Sequence, residues 1–508
     1  MTRPSLALSP DDDANRQLLA NVHPPDWQNP IADGRYNFVV LGAGTAGLVA
    51  AAGAAGMGAK VALVERHLMG GDCLNVGCVP SKAIIRSGHA AHALAEAAGF
   101  GVHFGGDVEV DFAAVMARMR GVRAEISPND SARRFADNLG VHVYFGEARF
   151  TGRDRLEVAG REIRFSKAVI ATGARAAVPP IPGLVETGFL TNDTVFNLTE
   201  QPRRLAVIGG GPIGCELAQT FARLGTEVTV VEMMEQFLPR EDRDAAELLH
   251  LSMQRDGVRI LLATRLDRVE TAISSKALVL TGPAGERRLI VDEIFVGVGR
   301  VPNIEGLGLD TAGVAHDRTG VLIDDHLRTS NPRIYASGDV CLPAKFTHVA
   351  DFASRAVLQN ALFPGPRKKF SKINLAWATY TDPEIAHVGL YEDEAIELGL
   401  EVETITIPMA EVDRALAEGE TEGFFRVHVH PRKGTIHGAT FVCRRAGDLI
   451  SEITTAMHAG LTLGEMAAVI HPYPTIAEAV RKAADQFNRR KLTPLTTRIL
   501  KHWFAWTR

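Results

Sequence analysis

The feature that most restricts how this chain can fold is a unit that occurs twice. A short apolar run leads into a glycine-spaced turn, then a helical stretch, then a second apolar run that ends in an acid. The first copy starts at Phe38-Val39-Val40-Leu41, passes Gly42, Gly44 and Gly47, and reaches Val61-Ala62-Leu63-Val64. The second starts at Leu205-Ala206-Val207-Ile208, passes Gly209, Gly211 and Gly214, and reaches Val228-Thr229-Val230-Val231. Each reads as a βαβ unit with strands of the buried type. The first glycine permits a tight turn, the second lets a pyrophosphate approach the backbone, and the third lets helix and strand pack closely. The helix start then offers free N–H groups and a partial positive charge to the diphosphate. Glu65 and Glu232 stand at the same offset, 23 residues after Gly42 and Gly209, where a carboxylate can accept from both ribose hydroxyls. A lone GxGxxG is a weak signal. Two in this context predict two dinucleotide sites. Glu232 is expected to repel a 2′-phosphate and so to favour NADH over NADPH, with Arg240 near enough to soften the preference.

At 508 residues the chain has room for about three domains. The expected architecture is α/β: two Rossmann-like dinucleotide-binding domains and a C-terminal α+β domain. Residues 1–35 form a polar, proline-bearing extension, lying over the surface or disordered. Residues 36–200 with 310–368 form the first dinucleotide domain, and 201–309 the second. Residues 369–488 form the α+β domain, and 489–508 a basic tail with Trp503, Phe504 and Trp506. The formal net charge of −5 gives no electrostatic case for a nucleic-acid partner. Five cysteines are too few for a disulfide scaffold, which points to a reducing compartment. Neither a secretory signal nor a confident spanning helix is read, so a cytoplasmic location is expected. The tail has two readings. It is a short interfacial helix with Arg498, Lys501 and Arg508 near lipid headgroups, or a helix docked on the protein's own surface. The second is preferred, because the run is short and modestly cationic.

The segment GGDCLNVGCVPSK, residues 70–82, carries Cys73 and Cys78 at a spacing too wide for a zinc-type CxxC. A loop entering a helix can bring these two within disulfide reach, and the helix dipole and Lys82 favour a thiolate there. Cys215, Cys341 and Cys443 are isolated and read as packing residues. The 70–82 segment resembles the redox centre of the class I flavoprotein disulfide reductases, the family of dihydrolipoamide dehydrogenase, glutathione reductase and mercuric reductase. Further stretches resemble the same family: KAVIATGARAAVPPIPG (167–183), FVGVGRVPN (295–303, with Gly299), TSNPRIYASGDV (329–340) and TDPEIAHVG (381–389). The resemblance implies a glutathione-reductase-like fold and a homodimer whose active site is shared between subunits. It implies FAD in the first site and NADH or NADPH in the second. It makes Cys78 the thiol beside the flavin and Cys73 the interchange thiol that meets substrate. Lys82 and Glu216 become an ion pair near the flavin. Gly146, Thr172, Gly173 and Asp339 become FAD contacts.

The substrate end departs from the dithiol-using members. They place a His before Pro-Thr, with a Glu a few residues on, as the acid–base pair. This chain reads His471-Pro472-Tyr473-Pro474-Thr475-Ile476-Ala477-Glu478. Tyr473 takes the place of the His, and a phenol of pKa about 10 moves protons poorly near neutrality. Mercuric reductases carry a Tyr there, so the chain resembles the mercuric-reductase-like branch. Soft thiolates suit a soft metal ion. Where those enzymes carry a vicinal Cys pair this chain ends KHWFAWTR, and no CxxC module precedes Tyr36. His471 would act as a base only after a backbone shift, and as a lone loop histidine it is read as a hydrogen-bonding residue. Expected acceptors are a soft metal ion (Hg(II)-like) or a small disulfide. The alternatives are a dihydrolipoamide-dehydrogenase-like reductase, or a non-catalytic, redox-sensing flavoprotein recruited to membranes through its tail.

Overall fold

The computed structural model describes residues 8–103, 105, 109–273, 275–490 and 492–508. The first apolar run becomes the strand Arg35–Leu41, whose residues 38–40 are wholly inaccessible to solvent. It pairs in parallel with Val61–Glu65 on one side and Arg161–Ile170 on the other, with Leu41 beside Val64 and Ile170. His142–Phe145 and Ile334–Ala336 extend the parallel array outward, and an antiparallel pair from Ala148 to Val158 completes seven strands. The strand Ile334–Ala336 reaches Ala168–Ile170 from far along the chain, which is why the late segment returns to this sheet. Over the sheet, helix Thr45–Gly56 lies against helix Thr347–Leu362. A Cβ on Gly53 would meet Leu358 Cδ1 at 2.4 Å, so glycine there sets the helix separation.

The second apolar run repeats this plan. Arg204–Ile208 pairs in parallel with Glu227–Val231 and Glu293–Val296, with Arg259–Leu261 outside, and a three-stranded antiparallel sheet follows from Arg265 to Val291. Both sheets belong to one compact unit, formed by the chain up to Glu235 and Val258–Ile373. The described part of the extension, from residue 8 to Arg35, is ordered within it. Asp12 caps helix Asp13–Val22, Leu18 and Val22 are fully buried, Arg123 donates to Asn15, and Asn29 exchanges two hydrogen bonds with the Phe145 backbone. Of the two states the sequence left open for residues 1–35, the packed one is found for residues 8–35, and residues 1–7 lie outside the described residues.

The second unit comprises Gln236–Gly257 and the chain from Asn374 onward. Its antiparallel sheet runs in the order Ala376–Thr379, Glu384–Gly389, Ile436–Cys443, Phe424–Val429, Glu403–Pro408. Phe425 and Phe441 stack at 4.4 Å in its core, beneath helices Ala446–Ala459 and Glu478–Arg489. Residues 236–257, which the sequence places within the 201–309 segment, group here instead. The reason is polar: Trp377 and Tyr391 donate to Glu241 at 2.8 and 2.6 Å, and Arg426 pairs with Asp242 and Asp244. The tail corrects another expectation. Among the described residues helix Pro494–Trp506 has none buried, so it lacks the covered apolar face of a docked helix.

Candidate active site

The residues expected to bind FAD all follow the carboxyl ends of parallel strands, where open α/β sheets take ligands. Gly42 follows Arg35–Leu41, Gly146 follows His142–Phe145, Thr172 and Gly173 follow Arg161–Ile170, Asp339 follows Ile334–Ala336, and Glu65 ends its own strand. Backbone bonds draw them together: Ala171 N donates to Leu41 O at 2.7 Å, Gly146 N to Glu65 O at 2.9 Å, and Ser337 N to Ile170 O at 3.0 Å. In the second sheet Gly209, Glu232 and Gly299 follow the corresponding strands. Thr172 Oγ1 donates to Asn303 O, and Gly299 O accepts from Ala177 N at 2.9 Å.

The two glycine turns test whether dinucleotides fit. At the first glycines, φ is +98° for Gly42 and +100° for Gly209, a region that disfavours any side chain. At the third, a Cβ would meet Gly42 O at 1.8 Å from Gly47, and Gly209 O at 2.2 Å from Gly214. The middle glycines differ. A Cβ on Gly44 would meet nothing nearer than Gly71 Cα at 3.6 Å, and one on Gly211 nothing nearer than Gly297 O at 4.0 Å. The fold therefore has no steric need for glycine at Gly44 or Gly211, and the close approach of a ligand supplies one. Helices Thr45–Gly56 and Pro212–Arg223 start at these two residues without a side-chain cap, which leaves N–H groups for an anion. Each acid braces its own turn: Glu65 accepts from Ala43 N at 2.7 Å and Glu232 from Gly210 N at 2.6 Å. A second bond reaches each from two residues on, His67 N and Met234 N, both at 2.8 Å. A carboxylate has about four acceptor positions, so both retain capacity for a ribose. Burial pushes the Glu65 carboxyl upward, against the pull of its N–H donors.

The cysteine segment is packed onto the first of these turns. Gly70 N donates to Ala43 O at 2.8 Å, and a Cβ on Gly71 would strike Gly44 Cα at 2.5 Å. Cys73 lies on the short helix Gly71–Asn75 and Cys78 opens helix Cys78–Glu96. Both are free thiols, Cys73 half-buried and Cys78 exposed. The interaction between the two thiols is the largest influence on both groups. It holds Cys78 down to about 6, helped by Thr347 and by the Lys82 charge, against the partial desolvation of the sulfur and the Glu216 charge. It drives Cys73 upward, and burial adds to the rise. The reduced pair thus carries one proton, seated on Cys73, with the negative charge on Cys78. Lys82, one turn along the same helix, meets Glu216 Oε2 at 2.8 Å, and Glu216 is almost entirely enclosed.

Two residues that the sequence reading passed over complete this site. Thr347 Oγ1 lies 3.4 Å from Cys78 Sγ, at the start of a helix 269 residues away. Arg300 bridges Asp72, next to Cys73, to Asp339 and also donates to Ala174 O at 2.7 Å. Its place directly after Gly299 in FVGVGRVPN was a usable signal, whereas nothing in the sequence marked Thr347. Asp339 is raised by burial, with Arg300 and Lys345 opposing. Cys215, Cys341 and Cys443 are thiols pushed up by burial, in keeping with packing roles.

The substrate-end residues belong to the second unit and are not gathered with the cysteines within one unit. Tyr473 is 71% exposed, and its hydroxyl donates to Asp413 Oδ2 at 2.8 Å, which raises its pKa. His471 has a buried ring with both nitrogens engaged: Nδ1 at 3.1 Å from Val469 O and Nε2 at 2.7 Å from Glu452 Oε1. Both nitrogens thus face oxygens of the protein itself. Glu478 is buried. Its Oε1 accepts from Arg481 at 2.8 Å, and its Oε2 has no hydrogen-bond partner among the described residues.

Two duplicated nucleotide turns and a polarised thiol pair define a flavin- and nicotinamide-dependent disulfide oxidoreductase. The chain belongs to the pyridine nucleotide-disulphide oxidoreductase family, whose profile matches residues 36–360 and whose dimerisation domain matches 375–484. The family is FAD-dependent and takes electrons from NADH or NADPH, and the dimerisation domain supports a homodimer. A mercuric reductase of Staphylococcus aureus is 36% identical over 90% of this chain and 83% of its own length. A dihydrolipoyl dehydrogenase of Thermus scotoductus is 34% identical over 90% of this chain and 98% of its own. Among solved structures, the Cu(II) complex of the HOCl-induced flavoprotein disulfide reductase RclA from Escherichia coli aligns with a TM-score of 0.80. It is 29% identical and covers 89% of this chain and 100% of that one.

Proposed function

We propose that this protein is a homodimeric reductase of soft, thiol-seeking metal ions such as Hg(II) or Cu(II), with small disulfides as poor substrates. The observation that carries the reading is the state of the substrate end. A dithiol reaction needs a base to exchange protons with the interchange sulfur. Tyr473 stands at the matching place with its pKa raised by Asp413, both His471 nitrogens face oxygens of the protein itself, and Glu478 Oε2 lacks a hydrogen-bond partner among the described residues. A metal ion bound by thiolates asks for soft ligands and no such base. The names of the mercuric reductases and of the Cu(II)-bound reductase lend the same direction.

Bound FAD supplies the two-electron relay between nicotinamide and sulfur. Gly42, Gly44, Gly47, Glu65, Gly146, Thr172, Gly173 and Asp339 are the residues assigned to hold it, and Gly209, Gly211, Gly214, Glu232 and Gly299 those assigned to the nicotinamide nucleotide. Cys78 keeps the negative charge, Cys73 meets the acceptor, Lys82 and Glu216 keep a balanced charge pair behind them, and Tyr473 comes from the second copy. A cytoplasmic setting belongs to the same proposal, because a thiol pair reduced at every turnover suits a reducing compartment. Among the described residues no helix is long and apolar enough to cross a membrane.

An anaerobic acceptor screen with NADH and NADPH in parallel tests this. Turnover with Hg(II) or Cu(II) is expected to exceed that with lipoamide or glutathione disulfide by about two orders of magnitude. Tyr473→His gives Glu478 a partner and is expected to raise disulfide turnover about tenfold or more, with little effect on metal turnover. Wild-type disulfide rates that match the metal rates would overturn the proposal.

A further inference from the structure

We propose that Pro494–Trp506 is a membrane-surface helix that holds the protein on anionic lipid. Its formation is written locally: Thr493 caps it by accepting from Thr496 N, and Pro494 occupies the first turn. A helix of 13 residues is nevertheless marginal in water without burial of one face, and none of its residues is buried in the chain. That face is well defined. Leu495, Ile499, Trp503 and Trp506 recur at helical spacing, with Leu500 and Phe504 beside them, while Thr497, Arg498, Lys501 and His502 take the opposite arc. Leu495 is 68% exposed, Trp503 54%, Phe504 57% and Trp506 79%.

Charge and ring type select the occupant. From Arg489 to Arg508 the chain has six Lys or Arg and no Asp or Glu, within a protein of net charge −5. Arg490 is held by Glu403, whereas Arg498, Lys501 and Arg508 have no ion-pair partner among the described residues. Two copies paired through this helix would bring cations together with no acid between them. An anionic lipid surface supplies the missing charge, at about 1 kcal/mol per Lys or Arg close to it. Half of the four tryptophans lie in the last six residues, side by side at 5.6 Å. Tryptophan's apolar body and single N–H donor suit the headgroup boundary, and the helix is too short to span, so it lies in the plane of the surface.

The test uses the full-length, FAD-loaded protein and sedimenting vesicles of phosphatidylcholine, alone or with about a third phosphatidylglycerol. Anionic vesicles are expected to carry down about tenfold more protein than neutral ones, and high salt should reverse much of this. Arg498→Glu/Lys501→Glu and Trp503→Ser/Trp506→Ser should each lose about tenfold in partition, with NADH oxidation and solution oligomeric state unchanged. Brominated lipid should quench wild-type tryptophan fluorescence and leave Trp503→Phe/Trp506→Phe unquenched. Equal sedimentation of wild type and variants overturns the proposal. So does dissociation of the dimer on removal of residues 494–508, which would assign the helix to pairing copies.

Discussion

The two nucleotide turns of this protein are nearly the same object, and the difference in what surrounds them is instructive. In both, the first and third glycines are forced by contacts under about 3 Å, the second is sterically free, and an acid braces the turn through the same pair of N–H groups. The first turn has the cysteine segment packed on it through Gly70 and Gly71. The second turn leads into a helix whose early cysteine, Cys215, is buried with its sulfur against Gly210 O. Cys78 and Cys215 both lie in the first turn of a helix behind a glycine-rich loop. One is held as a thiolate, and the other keeps its proton because burial penalises the charge. A helix start is insufficient to make a reactive cysteine; the neighbouring donors decide.

The largest way to break this contrast is to remove each sulfur. Cys78→Ser is expected to cost about three orders of magnitude in acceptor turnover, whereas Cys215→Ser should change it less than about twofold. Comparable losses would erase the distinction. Next, Gly47→Ala should destabilise the protein by about 3 kcal/mol, since its Cβ would meet Gly42 O at 1.8 Å. Gly44→Ala should keep the melting temperature of the apoprotein and weaken FAD retention, read by flavin absorbance after gel filtration. A Gly44→Ala protein that holds FAD normally would show that the middle glycine is not there for a ligand.

A pH series sharpens the cysteine comparison. Cys78 is depressed to about 6, so it stays a thiolate above that pH and gains a proton as pH falls through it. The rate of iodoacetamide capture at Cys78 should therefore be level in the neutral range and decline below about 6. Lys82→Met removes a charge that lowers Cys78 and should move the decline to higher pH. The smallest effect concerns the nucleotide. Glu232→Ala should relax the preference for NADH over NADPH by about tenfold in kcat/KM, with FAD content unchanged.

Much of the fold was legible because its rules act over a few residues. The glycine spacings, the apolar runs and the acids at a common offset are short-range steric and periodic signals, and they placed both sheets and their ligand edges. The cysteine segment and the substitution of Tyr473 were legible for the same reason. What remained hidden depends on atoms brought from far along the chain. Thr347 reaches Cys78 through the returning segment, Arg300 reaches Asp72 from the strand paired with Ala174–Ala176, and the grouping of 236–257 rests on Arg426, Trp377 and Tyr391.

By itself, then, the sequence determined the class of fold, the two glycine turns and a candidate redox pair, since these need only local geometry and residue type. The tertiary structure alone decided which sulfur bears the charge, that both nitrogens of His471 face oxygens of the protein itself, and that the terminal helix lacks a covered apolar face. Those are questions of hydrogen-bond partners and burial. Both are set by the distances between residues that the chain order keeps apart.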